Sequence, residues 1–245
     1  MAVERPTLRV CALYPTLMNI YADRGNLLML ERRCRWRGIA FELSGAGIGE
    51  GLDERADLYY IGGGQDRDQA LCAQDLHTHK REQLRTAAQR GAVVLGVCGG
   101  YQLLGHDYQL GDEHLPGVGL LDLRTVRGDG PRLIGNVAIE VELPRAGTRI
   151  LAGFENHGGR TRLGPEAQPL GRVLKGHGND GESGHEGARS GSVLGTYLHG
   201  PLLPKNAWFA DWLIESALGL ELPLAPLDDT LEELAHADAR RAAGL

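Results

Sequence analysis

The first two-thirds of the chain alternates short apolar runs with segments in which apolar residues recur at helical spacing. Helical patterns cover residues 27–36, which end before Gly38, and about residues 71–89, which end before Gly91. Strands that alternate with helices predict a mostly parallel sheet with helices on both faces. The apolar runs that predict the strands are residues 8–14, 39–43, 57–61 and 92–97, the last continuous as in a strand buried on both faces.

The pattern changes beyond about residue 115. Residues 137–143 alternate apolar and polar positions, which predicts a half-exposed antiparallel strand. The stretch from residue 171 to 191 holds seven glycines and few large apolar residues, so we expect a mobile loop or loose hairpin outside the core. Residues 192–198 predict a further strand, residues 207–218 an amphipathic helix, and the last 25 residues one peripheral helix.

Together these patterns predict an α/β fold, with a mostly parallel sheet flanked by helices and an antiparallel extension. We expect one domain over residues 1–245, with a catalytic core at about residues 8–205 and a C-terminal helix and tail at residues 206–245.

Charge and cysteine content narrow the function classes. The net charge of −6 disfavours a nucleic-acid partner, because binding phosphates needs a basic face. No apolar run is long enough to span a membrane, and the N-terminus lacks the pattern of a secretory signal. The four cysteines have no CxxC spacing and are expected to stay reduced. The sequence therefore predicts a cytoplasmic protein.

Cys98 stands in a Gly-Val-Cys-Gly-Gly sequence, residues 96–100, between the buried strand and an apparent helix at residues 101–104. Small residues on both sides of a nucleophile are typical of the strained strand–turn–helix elbow. A thiol at a helix N-terminus is expected to have a lowered pKa, because the positive end of the helix favours thiolate. The Gly99 N–H can donate to an oxyanion. The alternative interpretation of Cys98 is a buried structural cysteine.

A cysteine nucleophile needs a base, and His199 is the best placed of the nine histidines. It follows a predicted strand, so it lies at the carboxyl edge of the sheet, where catalytic groups of α/β folds collect. A capping or core histidine is the alternative. The Gly-Gly-Gly at residues 62–64 also follows a strand, and without the Gly-Lys-Ser/Thr of a phosphate loop it predicts an oxyanion loop. His77 and His79 have no third ligand, so no metal site is predicted.

These three signals, in this order along the chain, resemble the class I glutamine amidotransferase family over about residues 8–205. Cys-Gly-Gly-Tyr-Gln at residues 98–102 and His-Gly-Pro at residues 199–201 are similar to the branch that contains cobyric acid and cobyrinate amidotransferases. Within that branch, residues 14–26 and 153–161 are most similar to the glutaminase subunits of lipid II isoglutaminyl synthases. The resemblance implies the flavodoxin-like class I fold.

The resemblance also implies roles for individual residues. Cys98 would attack the glutamine side-chain amide, with the N–H groups of Gly64 and Gly99 holding the oxyanion. His199 would protonate the departing ammonia and then activate water. Positions at which the family contacts or selects glutamine are Arg132, Gln102, Gly62, Asn156 and Gly158. A guanidinium suits the glutamine α-carboxylate, although an ordinary surface arginine is the alternative interpretation of Arg132.

The resemblance implies a partner as well. The sequence has no ATP-binding signature, so we expect no cofactor in this subunit, and ATP and Mg in a Mur-ligase-like subunit of the MurT type. That heterodimer would amidate the D-glutamate α-carboxyl of lipid II. Many class I members carry a glutamate two residues after the histidine, where this chain has Pro201. Either the site works as a Cys–His dyad or the partner supplies an acid, and we expect the second.

Three other functions remain open at this point. A cobyrinate-type amidotransferase would usually be fused to an ATP-dependent synthetase domain. A PfpI-type cysteine hydrolase would share the elbow around Cys98 but not the motifs around Asn156 and His199. A catalytically silent binding subunit would not be expected to retain both Cys98 and His199.

Overall fold

The computed structural model describes residues 6–19, 23–110 and 112–245. Outside the described residues lie the N-terminal residues 1–5 and residues 20–22. Residues 20–22 are part of the motif at residues 14–26. In chain order the elements are β1 (Thr7–Leu13), α1 (Arg24–Trp36), β2 (Ala40–Ala46), β3 (Leu58–Ile61), α2 (Asp66–Asp75), a π-helical turn (Leu76–Lys80), α3 (Arg81–Gln89), β4 (Val93–Val97), α4 (Gly99–Leu104), β5 (Asp107–Leu110), β6 (Glu113–Pro116), β7 (Leu123–Arg127), β8 (Leu133–Leu143), β9 (Gly147–His157), β10 (Gly159–Leu163), β11 (Gly171–Lys175), β12 (His185–Glu186), β13 (Ala188–Ser190), β14 (Val193–Thr196), α5 (Leu202–Lys205), α6 (Ala207–Ala217) and α7 (Thr230–Ala243).

The centre of the fold is a six-stranded sheet in the order β13-β14-β4-β3-β1-β2. Strands β14, β4, β3, β1 and β2 are parallel, and β13 pairs antiparallel with β14 at one edge. All five residues of β4 are buried, as the continuous apolar run predicts for a strand covered on both faces. The predicted α/β fold with a mostly parallel sheet is confirmed.

The helical segment predicted at residues 71–89 is two α-helices joined by the π-helical turn. Lys80, in that turn, is fully buried and pairs with the carboxylate of Asp75. A buried ammonium needs such a partner, and a π-helical turn admits an extra residue within a helix. Apolar periodicity cannot detect this interruption, because the residue that it buries is charged.

Two four-stranded sheets form the antiparallel extension, in the orders β10-β7-β5-β6 and β12-β11-β8-β9. The strand predicted at residues 137–143 is the second half of β8, which pairs antiparallel with β9 over its whole length. Beyond β14, His199 forms an isolated bridge with Phe154 of β9, with N···O distances of 2.9 and 3.1 Å. The extension therefore joins the central sheet beside the predicted catalytic histidine.

The prediction that residues 171–191 lie outside the core is wrong. β11 and β12 in this segment pair antiparallel, as a hairpin would. Glu186 is fully buried and Asn179 is 1% exposed. The Glu186 carboxylate accepts the Tyr197 N–H at 2.6 Å, and Asn179 bonds the backbone of Gly187. The buried side chains of Asn179 and Glu186 are polar and hydrogen-bonded, so they add no apolar pattern to the sequence of this segment.

The C-terminal helix predicted within the last 25 residues is α7, and none of its residues is buried. It is held to the body of the protein by the ion pair between Asp229 and the fully buried Arg33 of α1. His236 also makes a 2.9 Å hydrogen bond with the Lys205 carbonyl. Within the described ranges no helix is long and apolar enough to cross a membrane.

Candidate active site

The three segments singled out in the sequence meet at the carboxyl edge of the central sheet. Residues 62–64 follow β3, Cys98 follows β4, and His199 lies three residues beyond the end of β14. Because β3, β4 and β14 are parallel neighbours, their carboxyl ends share one edge. The topology, rather than proximity in sequence, brings these residues together.

Cys98 occupies the predicted strand–turn–helix elbow between β4 and α4. Its backbone has φ 53° and ψ −108°, a conformation that residues with a Cβ rarely adopt. A methyl group on Gly100 would collide with the Ile61 carbonyl oxygen, so only glycine allows β3 and α4 to approach this closely. Such strain at a nucleophile costs about 1–3 kcal/mol and persists because the surrounding packing enforces it.

The glycines at residues 62–64 lie against the elbow. The Gly62 carbonyl accepts the Gly100 N–H at 3.0 Å. A methyl group built on Gly99 would lie 3.2 Å from the Gly64 nitrogen, so the two glycines predicted to hold the oxyanion are in contact. Two backbone N–H groups this close to a nucleophile can together bind a developing negative charge.

His199 is 1% exposed, and its ring centroid lies 5.9 Å from that of Phe154 in an edge-on arrangement. Burial lowers the pKa of the His199 imidazole to about 4, and the positive potential of His157 and Lys205 adds to this effect. The imidazole is therefore neutral at physiological pH, as a general base must be.

Burial raises the pKa of the Cys98 thiol to about 12, and the negative charge of Asp23 raises it further. The Gly99 N–H and the Arg132 guanidinium act in the opposite direction but do not balance burial. The Gly99 N–H at the helix N-terminus lowers this pKa as expected, but burial outweighs it, so the expected lowered pKa of the resting thiol is wrong. At physiological pH the Cys98 thiol and the His199 imidazole are therefore both neutral.

Arg132 immediately precedes β8 and is exposed to solvent. Its Nε donates to the Asn156 side-chain oxygen and its Nη2 to the Asn156 carbonyl, both at 2.8 Å. A methyl group on Gly158 would lie 3.5 Å from Nη1. The guanidinium lowers the pKa of both Cys98 and His199. The structure therefore brings together Arg132, Asn156 and Gly158, and places Arg132 within electrostatic reach of Cys98 and His199.

Gln102 lies one helical turn after Cys98 and is 5% exposed. Its Nε2 donates to the Tyr197 hydroxyl at 3.1 Å, and its Oε1 accepts from Gln69 at 2.7 Å. Tyr197 in turn stacks on His157, with ring centroids 3.6 Å apart. Gln102 thus belongs to a buried polar network beneath the elbow.

The segment from Asp23 to Asn26 connects the two sides of the site, a function that sequence reasoning missed. Asn26 donates to the Tyr60 hydroxyl of β3 and accepts the Leu203 N–H of α5, both at 2.8 Å. A methyl group on Gly25 would lie 2.9 Å from Cγ of Pro201. The motif at residues 14–26 marks this segment in the sequence. Its contacts could not be predicted, because they are made with segments distant in the chain.

Pro201 packs against α1 where many class I members carry an acid. The chain's own Glu155 raises the pKa of His199. Its two carboxylate oxygens, however, accept the N–H groups of His177 and Gly178 at 2.6 and 2.9 Å.

In the described part of the chain, no group of three or more His, Cys, Asp or Glu residues is arranged to hold a metal ion.

Comparisons with known proteins show the family to which this chain belongs. The CobB/CobQ-like glutamine amidotransferase domain family matches residues 9–207. The chain is 36% identical over 232 residues to the lipid II isoglutaminyl synthase (glutamine-hydrolyzing) subunit GatD of Streptococcus pneumoniae, which covers 92% of this chain and 88% of that protein. It is 41% identical over 202 residues to the GatD subunit of Staphylococcus aureus, covering 82% and 80% respectively. A cobyric acid synthase of Rhodobacter capsulatus is 36% identical over 169 residues, but only 32% of that protein is covered.

Solved structures show the same fold at lower sequence similarity. A chain of PurLQS from Thermotoga maritima superimposes with a TM-score of 0.61 at 21% identity, covering 86% of this chain and 98% of that one. A glutamine amidotransferase from Thermotoga maritima gives a TM-score of 0.54 at 18% identity, covering 97% and 94%. The chain belongs to the CobB/CobQ-like glutamine amidotransferase family and is a glutamine-hydrolysing amidotransferase subunit.

Proposed function

We propose that this chain is the glutaminase subunit of a lipid II isoglutaminyl synthase and acts through a Cys98 thioester. The observation that carries the proposal is the convergence, at one sheet edge, of a strained thiol, a neutral imidazole and two backbone N–H donors. The similarity to two GatD subunits over most of the chain supports lipid II as the acceptor of the ammonia. We propose further that residues 1–245 work as one domain.

In the proposed reaction, the Cys98 sulfur attacks the carboxamide carbon of glutamine and its proton passes to His199. The N–H groups of Gly64 and Gly99 hold the oxyanion of the tetrahedral intermediate. His199 then protonates the leaving nitrogen, and ammonia departs to leave a γ-glutamyl thioester. Next, His199 takes a proton from water, whose oxygen attacks the thioester, and glutamate is released with the thiol restored.

The same site supplies the glutamine contacts. The guanidinium of Arg132, already aligned by Asn156, would bind the α-carboxylate of glutamine. The remaining proposed contacts come from the backbone and side chains around the elbow and the β9–β10 turn. They are Asn156, Gly158, Gly62 and Gln102.

The resting protonation states support a requirement for a partner. Proton transfer from a thiol with a pKa of about 12 to an imidazole with a pKa of about 4 is unfavourable. A carboxylate supplied by the partner beside His199 would raise the imidazole pKa and favour transfer. Pro201 occupies the position that usually carries that carboxylate, so another chain would supply it. Hydrolysis would then depend on assembly.

We propose that the partner is a Mur-ligase-like subunit of the MurT type, forming a heterodimer with this chain. ATP and Mg would act in the partner to activate the D-glutamate α-carboxyl of lipid II, which ammonia then amidates. This chain would need no cofactor of its own. We place the reaction in the cytoplasm, because the mechanism needs a reduced Cys98.

Glutamate release from L-glutamine by the chain alone and by the chain co-purified with its ligase tests this proposal. We expect weak activity alone and at least tenfold more in the complex, with none in Cys98→Ala. Cys72→Ala is the matched control, because Cys72 is also buried but lies in α2. Full activity of the isolated chain would refute partner completion. Activity retained by Cys98→Ala would refute the thioester, and a complex that amidates a cobyrinate but not lipid II would refute the acceptor.

A further inference from the structure

The carboxylate of Asp23 lies inside the protein, directly against the oxyanion loop. Asp23 immediately precedes α1 and is 1% exposed. Its Oδ2 accepts the Gly63 N–H at 2.5 Å. The hydroxyl of Tyr60, at the end of β3, also faces this carboxylate and stabilises its charged form. A carboxylate that is buried and bonded in this way is held in a fixed position.

That hydrogen bond completes the fixation of a single peptide group. The peptide between Gly62 and Gly63 presents its carbonyl to the Gly100 N–H at 3.0 Å and its own N–H to Asp23. With both polar atoms of this group occupied, its plane cannot rotate without losing a buried hydrogen bond. The next N–H along the chain is that of Gly64. Only the two backbone dihedrals of Gly63 separate it from the fixed peptide, so fixing this peptide narrows the directions in which the Gly64 N–H can point.

We propose that Asp23 is a positioning residue that fixes the oxyanion loop, so that the Gly64 N–H stays directed toward the carbonyl oxygen under attack by Cys98. This inference rests on the proposed glutaminase function and assigns to Asp23 a part in that reaction. Asp23 acts through Gly63 and does not itself contact the substrate.

The position of the carboxylate oxygen, and not its charge, is what the site uses. The negative charge of Asp23 raises the pKa of Cys98 and so opposes thiolate formation. Burial raises the pKa of the Asp23 carboxyl itself to about 7, against the opposing effect of the bonds from Gly63 and Tyr60. An asparagine keeps an acceptor oxygen at the same place without the charge, whereas an alanine removes both.

The test compares Asp23→Asn with Asp23→Ala in two reactions of the full chain. The first is glutamine hydrolysis, which develops an oxyanion, and the second is alkylation of Cys98 by iodoacetamide, which does not. We expect Asp23→Ala to lower kcat for glutamine roughly 10- to 100-fold with little change in KM. The loss stays within this range because a misdirected Gly64 N–H lowers kcat less than a missing oxyanion donor would. We expect Asp23→Asn to keep kcat within about threefold of the original. At pH 8, both variants should alkylate faster, by up to about tenfold, the equivalent of one pKa unit.

The opposite directions of the two readouts separate positioning from general damage. Leu84→Ala, at a fully buried position in α3, is the control for lost stability and should lower Tm without changing kcat. Asp23→Ala with kcat within threefold of the original, Asp23→Asn as impaired as Asp23→Ala, or a parallel loss of hydrolysis and alkylation would each overturn the inference. If the original chain alkylates at Cys98 but never releases glutamate, alone or with its partner, the proposed function itself is wrong.

Discussion

Replacing Arg132 by alanine should weaken glutamine recognition while leaving the chemical step intact. Two of the guanidinium nitrogens are already held by Asn156, so the group is oriented before substrate arrives. Its effect on the pKa of Cys98 and His199 places it within electrostatic reach of the reacting groups. The α-carboxylate that it would bind does not react. The loss should therefore appear in KM and not in kcat.

The size of the effect follows from the kind of bond that is lost. A hydrogen bond between charged groups contributes about 1.5–3 kcal/mol, which corresponds to roughly a 10- to 150-fold fall in kcat/KM. Because Arg132 is exposed, water screens the pair, and we expect the lower half of that range. Arg132→Lys keeps the charge but not the two bonds to Asn156. It should fall between alanine and the original chain.

The assay compares L-glutamine with 4-aminobutanamide, which has the same carboxamide but no α-carboxylate. Arg132→Ala should lose kcat/KM toward glutamine and change little toward 4-aminobutanamide. Equal losses on both substrates, or a fall in kcat at unchanged KM, would refute the assignment of Arg132 to the α-carboxylate.

Three further predictions concern the base and the elbow. Since burial depresses the pKa of His199 to about 4 in this chain, the weak kcat/KM of the isolated chain should fall on the acid side with a midpoint nearer 4 than 6.5. A midpoint at 6.5 or above in the pH profile of the isolated chain would contradict this. Gly100→Ala should cost at least about 1–3 kcal/mol in urea unfolding and abolish most activity, whereas Gly135→Ala, with open space around it, should do neither. Relative to the same two substitutions at Cys72, the free energy of unfolding of Cys98→Gly should exceed that of Cys98→Ala by about 1–3 kcal/mol, because the positive φ strains alanine but not glycine. An equal difference in unfolding free energy at both positions would exclude stored strain.

The elbow and the positions of the parallel strands along the chain could be predicted from sequence because their causes are local. The strand before Cys98 is a continuous apolar run, and small residues on both sides of a nucleophile indicate a sharp turn. His199 was predicted from the same kind of pattern, a strand followed by a Gly-Pro turn. Parallel pairing then puts both residues at one edge, whatever their separation in sequence.

What sequence did not predict depends on burial by segments that are far apart in the chain. The pKa of Cys98 is raised because the thiol is enclosed and lies near Asp23, which no local pattern indicates. The hydrogen bond from Gly63 to Asp23 spans 40 positions. Glu186 lies in a glycine-rich stretch that lacks an apolar pattern, yet its buried carboxylate holds the N–H of Tyr197, two residues before His199. Polar burial of this kind becomes visible only in three dimensions.

The γ-glutamyl thioester on Cys98 is the most direct test of the central claim. The complex of this chain with its ligase would be mixed with L-glutamine, quenched in acid, and the peptide containing Cys98 analysed by mass spectrometry. We predict a γ-glutamyl adduct on that peptide alone, which hydroxylamine releases as the hydroxamate and which is absent from Cys98→Ala. Release of glutamate without any adduct, at a rate unchanged in Cys98→Ala, would contradict the account.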